Sequence, residues 1–202
     1  MTKIWGPLGW MTLHSVSLIY PENPSQYDKQ IATRFLNLFG ETISCIQCKS
    51  HFRNIFNIYK SSNPEFLNSR QDFALFGFRA HNTVNLRLDK PRPSSVSECL
   101  RTLKAATAQT SFASFRQAYL SYLLKNWGHD ISGQGLVTKE QVKDMIKINN
   151  EYWSPREIPI PDLKEGDIIT PIELSKSRVN SRGTVVSNFV GFKGGKLMLT
   201  KR

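Results

Sequence analysis

Cys45-Ile46-Gln47-Cys48 places two thiols three positions apart, close enough to meet within one helical turn and close a small disulfide. The chain holds three cysteines in all. It does not use cysteine as a scaffold, and the pair reads as a dithiol that cycles between reduced and oxidised forms. Two other groups of side chains could stand beside it. Trp10 and His14 lie four apart on a predicted helix and share one face. His81, Asn82 and Asn85 crowd a single turn of another helix, beside its apolar stripe. Polar groups in such a place are costly unless satisfied. An interhelical network would satisfy them, and so would a planar ligand rich in heteroatoms.

Three chemistries use a CxxC. A zinc site would need two further ligands, drawn from His14, His51, His81 and His129, but the second closely spaced ligand pair that marks such sites is missing. A thioredoxin-like motif needs a preceding strand inside a βαβ framework, whereas helical patterns flank this one. A flavin-linked dithiol needs an aromatic, hydrogen-bonding pocket in a helical bundle, with one sulfur close to the isoalloxazine ring.

The elements that must position these residues follow from period and punctuation. A first helix is predicted over Pro7–Tyr20, with Pro7 in its first turn and Pro21 as its stop. Ser25 can cap a second helix to about Ile43, with Ile31, Phe35, Leu38 and Phe39 on its apolar face. The CxxC then opens a third helix carrying Phe52, Ile55, Phe56 and Tyr59. At its N-terminus, the dipole and free N–H groups favour a thiolate, and Lys49 and Arg53 add positive charge. A fourth helix, the longest, runs from about Leu67 to Leu88 with Phe73, Phe76, Ala80, Val84 and Leu88 as its stripe. A short fifth one from Ser94 to about Ala108 contains Cys99.

A boundary near 109–111 separates residues 1–108 from a second region, 109–202. There, helices are predicted over Phe112–Trp127 and from Thr138 to about Trp153, with Thr138 and Gln141 as a capping box. Strand-like stretches follow at Asp167–Ile172, Thr184–Phe192 and Lys196–Thr200, with a hairpin turn over Gly191–Gly195. The fold class expected is therefore mainly α: five helices, then a smaller α+β region. The second region is expected to pack on the bundle through Phe112, Phe115 and Tyr119.

Among 202 residues, an apolar content of 40% with 12 Phe is enough for a real core. No apolar run approaches the ~20 residues of a bilayer span, and the N-terminus lacks the apolar stretch of a secretory signal. A net charge of +11 fits a nucleic acid, an acidic partner or a polyanionic cofactor.

Trp10-x-x-x-His14, Cys45-x-x-Cys48 and the string from His81-Asn82-Thr83-Val84-Asn85 to Lys90-Pro91 occur in that order. Over about residues 3–100 they resemble the Erv/ALR family of FAD-linked sulfhydryl oxidases. The Trp5-Gly6-Pro7 opening and the few cysteines resemble members from large DNA viruses. The likeness implies that the five helices make a four-helix bundle with a short fifth helix. It implies FAD held in the bundle by Gly6, Gly9, Trp10, His14, Cys48, His81, Asn82, Asn85 and Lys90, with Lys90 complementing its phosphates. It further implies Cys48 beside the flavin and Cys45 as the sulfur attacked by the substrate's thiolate. Electrons would pass through Cys45–Cys48 to FAD and then to oxygen, giving hydrogen peroxide. It also implies a homodimer and, with no signal segment seen, a site in the host-cell cytoplasm or virion.

Two departures from the family pattern bear on mechanism. The position three before His81 is Phe78, so Cys99 lacks the partner that ties the fourth and fifth helices in many members, and a buried free thiol is expected. No second CxxC or CxC exists to act as a shuttle. Electrons would then come directly from a separate dithiol protein, thioredoxin-like in kind, with no metal, membrane or nucleic acid as partner. The competing reading is a non-catalytic, basic helical protein that binds nucleic acid or a virion component.

Overall fold

The computed structural model describes residues 2–164 and 168–174. Seven α-helices follow one another: α1 (Thr2–Leu18), α2 (Gln26–Thr42), α3 (Ile46–Ser62), α4 (Arg70–Arg87), α5 (Val96–Ala106), α6 (Phe112–Gly128) and α7 (Gly133–Ile148). A π-helical turn, Asn149–Trp153, and a 3₁₀ turn, Ser154–Arg156, continue α7. Five helices start on a serine whose hydroxyl accepts the N–H three residues on: Ser25, Ser69, Ser95, Ser111 and Ser132. Helix α3 starts on Cys45 instead.

Helix α1 is sandwiched between α4 and α6, α2 lies against α3 and α7, and α6 packs on α7. One core joins the whole assembly, with Leu13 of α1, Phe39 of α2, Phe52 of α3, Phe76 of α4, Tyr119 of α6 and Trp153 of the π turn all buried in it. A smaller core beneath α5 contains Leu18, Phe78, Cys99, Leu103 and Ile169.

The bundle with its short fifth helix matches the expected fold, with local corrections. Helix α1 begins at Thr2, so Pro7 is its sixth residue and forfeits one intrahelical hydrogen bond. Trp5 and Leu8, packed on the main core, hold the added turn. Leu88 and Leu124 are exposed, and Phe115 is only half-buried, whereas Phe112 and Tyr119 are buried.

The expected capping box at Thr138 is absent. Ser132 caps α7 six residues earlier, and Thr138 lies inside the helix, its hydroxyl donating to the Gln134 carbonyl. The α+β expectation for the second region is also not met, because the described part of it contains helices and no strand. Ile168 forms only an isolated antiparallel bridge with Ser95. Around it the segment spends its backbone groups elsewhere. Ile169 N–H donates to the Ser94 carbonyl, its carbonyl accepts from Asn82, and Ile172 N–H donates to Thr83 Oγ1. The other two predicted strands and the Gly191–Gly195 turn lie outside the described residues.

A side chain that the helical pattern could not single out joins α6 to the rest. Arg116 is buried, with Nε donating to Asn149 Oδ1 at 2.9 Å, Nη2 bonded to Glu157 Oε2 at 2.6 Å and Nη1 bonded to Ser15 Oγ. One guanidinium thus ties α6 to α1, to the π turn and to the segment after it. Glu157 is partly in water, so its share is small. Arg116→Ala is expected to cost about 3 kcal/mol in urea unfolding, through a cavity and stranded buried acceptors. Glu157→Gln should cost about 1 kcal/mol or less.

Candidate active site

Helix α2 stops at Thr42, and three residues later Cys45 caps α3. Cys45 and Cys48 are joined as a disulfide. Cys45 Sγ accepts the Cys48 N–H at 3.2 Å, and the Cys45 carbonyl accepts the Lys49 N–H at 2.8 Å. A sulfur takes the place a serine hydroxyl holds on the other capped helices, where unpaired N–H groups and the dipole favour negative charge. Both cysteines are half-buried, while Ile46 between them is 84% exposed. Burial lowers the pKa of Lys49, with Glu41 opposing and Arg53 assisting that shift. Arg53 is itself paired with Glu41.

The second group of predicted residues is brought together across α1 and α4. Trp10 and His81 stack face to face, 4.3 Å between ring centres and 9° from parallel. His14 Nε2 and His81 Nδ1 are 2.9 Å apart and share one proton. His14 Nδ1 is buried without a partner and faces Gly77, where a methyl group would come within 3.5 Å of it. Phe78 covers the same imidazole at 5.3 Å. Burial drives both histidines toward the neutral form, His14 well below the ordinary value, with the His81 charge assisting, and His81 to about 4, with Lys90 assisting.

Asn82 and Asn85 direct the chain beyond α4. Asn82 donates to the Pro93 and Ile169 carbonyls at 2.7 and 3.2 Å, and Asn85 to the Pro91 carbonyl at 3.0 Å. Helix α4 ends in a Schellman motif: Asp89 takes a left-handed φ of 51°, and Lys90 N–H reaches back to the Asn85 carbonyl at 2.9 Å. Pro91 prevents continuation, so Lys90 emerges at a fixed point beside His81. Gly9 faces Tyr119 of α6 and Phe39 of α2, where added atoms would meet both rings at 3.4–3.5 Å, while Gly6 has open space around it.

Both groups lie in the same half of the bundle. The Trp10–His81 and Tyr20–Phe73 contacts make α1 and α4 antiparallel, and burial lowers the pKa of His51 near the start of α3, with Arg87 near the end of α4 assisting. An open groove of about 420 Å³ on the outer face of α2 includes Lys29, Thr33 and Arg34 and none of the predicted site residues. Cys99 is free and buried, its thiol pushed up to about 12 by burial, with Glu98 assisting. Phe78 occupies the same small core.

A cystine on the first turn of a helix, within an all-helical bundle, defines a thiol–disulfide redox site outside the thioredoxin architecture. The Erv1/Alr family matches residues 8–110, and the chain belongs to that family. It is 35% identical over 86 residues to an FAD-linked sulfhydryl oxidase of African swine fever virus, covering 43% of this chain and 69% of the relative. A mitochondrial FAD-linked sulfhydryl oxidase of Saccharomyces cerevisiae is 33% identical over 87 residues, 43% of this chain and 44% of that protein. An Arabidopsis thaliana FAD-linked sulfhydryl oxidase is 31% identical over 85 residues, 42% of each chain.

The depressed histidine values set a pH dependence. The unfolded chain binds protons as pH falls through about 6.5, while folded His81 does so only near 4. Stability is therefore full above 6.5 and declines as pH falls from there towards 4. Urea midpoints should drop between pH 7.5 and pH 5, and less steeply in His81→Gln.

Proposed function

We propose that this chain is an FAD-dependent thiol oxidase that forms disulfides in a protein substrate through Cys45 and Cys48. The observation that carries the reading is the cystine at the start of α3, set in the half of the bundle where Trp10, His14 and His81 assemble. The substrate's thiolate attacks Cys45 Sγ, the Cys45–Cys48 bond breaks, and Cys48 leaves as a thiolate. The substrate's second thiol then attacks its own sulfur in the mixed disulfide and releases Cys45. The substrate leaves oxidised, with its two electrons on the Cys45/Cys48 pair. Cys45, when freed, has the Cys48 N–H as donor, and the helix N-terminus lowers the cost of its charge.

The residues fit a flavin. Trp10 and His81 offer parallel aromatic faces, His14 Nδ1 is a buried nitrogen with no partner, and Lys90 carries positive charge beside them. Trp10, His14, His81, Asn82, Asn85 and Lys90, with the Gly6–Gly9 stretch, would hold it. Asn82 and Asn85 would act by fixing the 90–93 loop as well as by direct contact. FAD supplies the two-electron acceptor that returns the pair to the disulfide, with oxygen as final acceptor and hydrogen peroxide as product. Neutral His14 and His81 add no positive charge to the pocket at pH 7 and leave their ring nitrogens for hydrogen bonding.

The electron donor is a separate dithiol protein, thioredoxin-like in kind, since the chain has no second CxC or CxxC pair. The protein is viral, acts in the host-cell cytoplasm or the virion, and pairs as a homodimer. Residues 1–108 form the oxidase domain, and 109–202 a second region whose α6 and α7 share the core of the first.

The purified chain should show flavin absorbance and produce peroxide when dithiothreitol is added under air. A colourless chain that stays inert after incubation with FAD sinks the reading. Cys45→Ser keeps a capping group on α3, so it should retain bound FAD while losing thiol turnover. Cys99→Ser should change turnover less than about twofold, since a buried thiol of raised pKa is not a nucleophile.

A further inference from the structure

The family match ends at residue 110, yet the turn that carries the disulfide is walled by α6. Trp127 Nε1 donates to the Thr42 carbonyl at 2.9 Å, and its ring lies 5.7 Å from the Lys49 ammonium. The Tyr122 hydroxyl is 3.5 Å from Ser44 Oγ and 3.4 Å from Asn126 Oδ1. Helix α6 therefore touches the residue before Cys45 and the residue after Cys48. Tyr122 and Trp127 are half-buried, Asn126 is exposed, and Ile46 projects from the middle of the motif.

This arrangement constrains what can reach the sulfur. A protein thiolate attacking Cys45 must lay its flanking residues across Ile46 and the adjoining surface. That surface is apolar at its centre, with the Lys49 ammonium at its edge over the Trp127 ring. Lys49 forms no ion pair among the described residues, whereas the nearby Arg53 is neutralised by Glu41. An unpaired cation beside a site of transient protein contact selects partners of opposite charge and speeds their encounter.

Resting on the thiol-oxidase reading, we propose that α6 is a specificity wall of the active site. With Ile46, Tyr122 and Trp127 flanked by Lys49, it receives a protein dithiol whose cysteines are bordered by acidic residues and an apolar side chain. The wall acts on the choice of substrate and leaves the sulfur chemistry to the helix cap.

The test uses the full chain and short synthetic dithiol peptides that share one Cys-x-x-Cys core and differ in glutamate or lysine flanks, with dithiothreitol as the small dithiol. At low salt the glutamate-flanked peptide should show a kcat/KM at least about threefold higher, and the gap should close as salt is raised. Trp127→Ala, and the exposed change Asn126→Glu, should each raise KM for that peptide about threefold or more, and Asn126→Glu should leave flavin content and dithiothreitol turnover unchanged. Equal use of both peptides overturns the proposal. So does a loss in Trp127→Ala that dithiothreitol shares while Asn126→Glu has no effect. A parent chain without flavin that oxidises no thiol overturns the oxidase reading beneath it.

Discussion

A helix enclosed on nearly every side must have its polar groups answered by its neighbours, and α1 is such a helix. Nine consecutive residues, Thr12 to Tyr20, are buried. They include His14, Ser15 and Ser17, each with a hydrogen-bonding side chain that water cannot reach. Ser17 returns its hydroxyl to the His14 carbonyl, Ser15 accepts from Arg116 of α6, and His14 pairs with His81 of α4. Ser17 is answered within α1, and the other two answers each fix a different neighbour. The requirement to satisfy α1 thus orients the two helices that carry the aromatic site and the wall beside the disulfide.

The redox turn follows from a simpler substitution. Serine caps the other helices from α2 onward, and at α3 a sulfur stands where the oxygen would be. The same hydrogen-bond geometry that starts a helix then places a sulfur where developing negative charge is favoured. Because α6 lies along α1 and α7 along α2, the bundle buries those faces within its own chain. The residues beyond the family match are continuous with the core at Tyr119, Leu123 and Trp153.

Much of this was legible in the residues. Ser25 and the prolines before it marked the start of α2, the period of Phe73, Phe76 and Ala80 located α4, and the CxxC fell on a helix start as its surroundings implied. Where the reading failed, tertiary packing overrode a local signal. Pro7 was read as a start, but Trp5 and Leu8 find core partners that extend the helix past it. Thr138 and Gln141 imitated a cap because Gly133 and Gly135 are poor helix formers, and Ser132 was overlooked behind them. The described part of the strand-like segment, 168–172, has no strand beside it among the described residues and bonds to Ser94, Asn82 and Thr83 instead. Arg116 could not be found by pattern, since an arginine on an amphipathic helix is ordinarily taken for a solvated one.

The lone thiol at Cys99, packed against apolar neighbours with Phe78 in the same core, has a consequence for the life of the molecule. No covalent link joins α4 to α5, and the bond between Cys45 and Cys48 spans a separation of three residues, a loop too short to remove much chain entropy. The scaffold therefore draws almost nothing from its own oxidation. The fold thus keeps its shape whether that bond is open or closed, and has no second pairing into which it could scramble without unfolding α5.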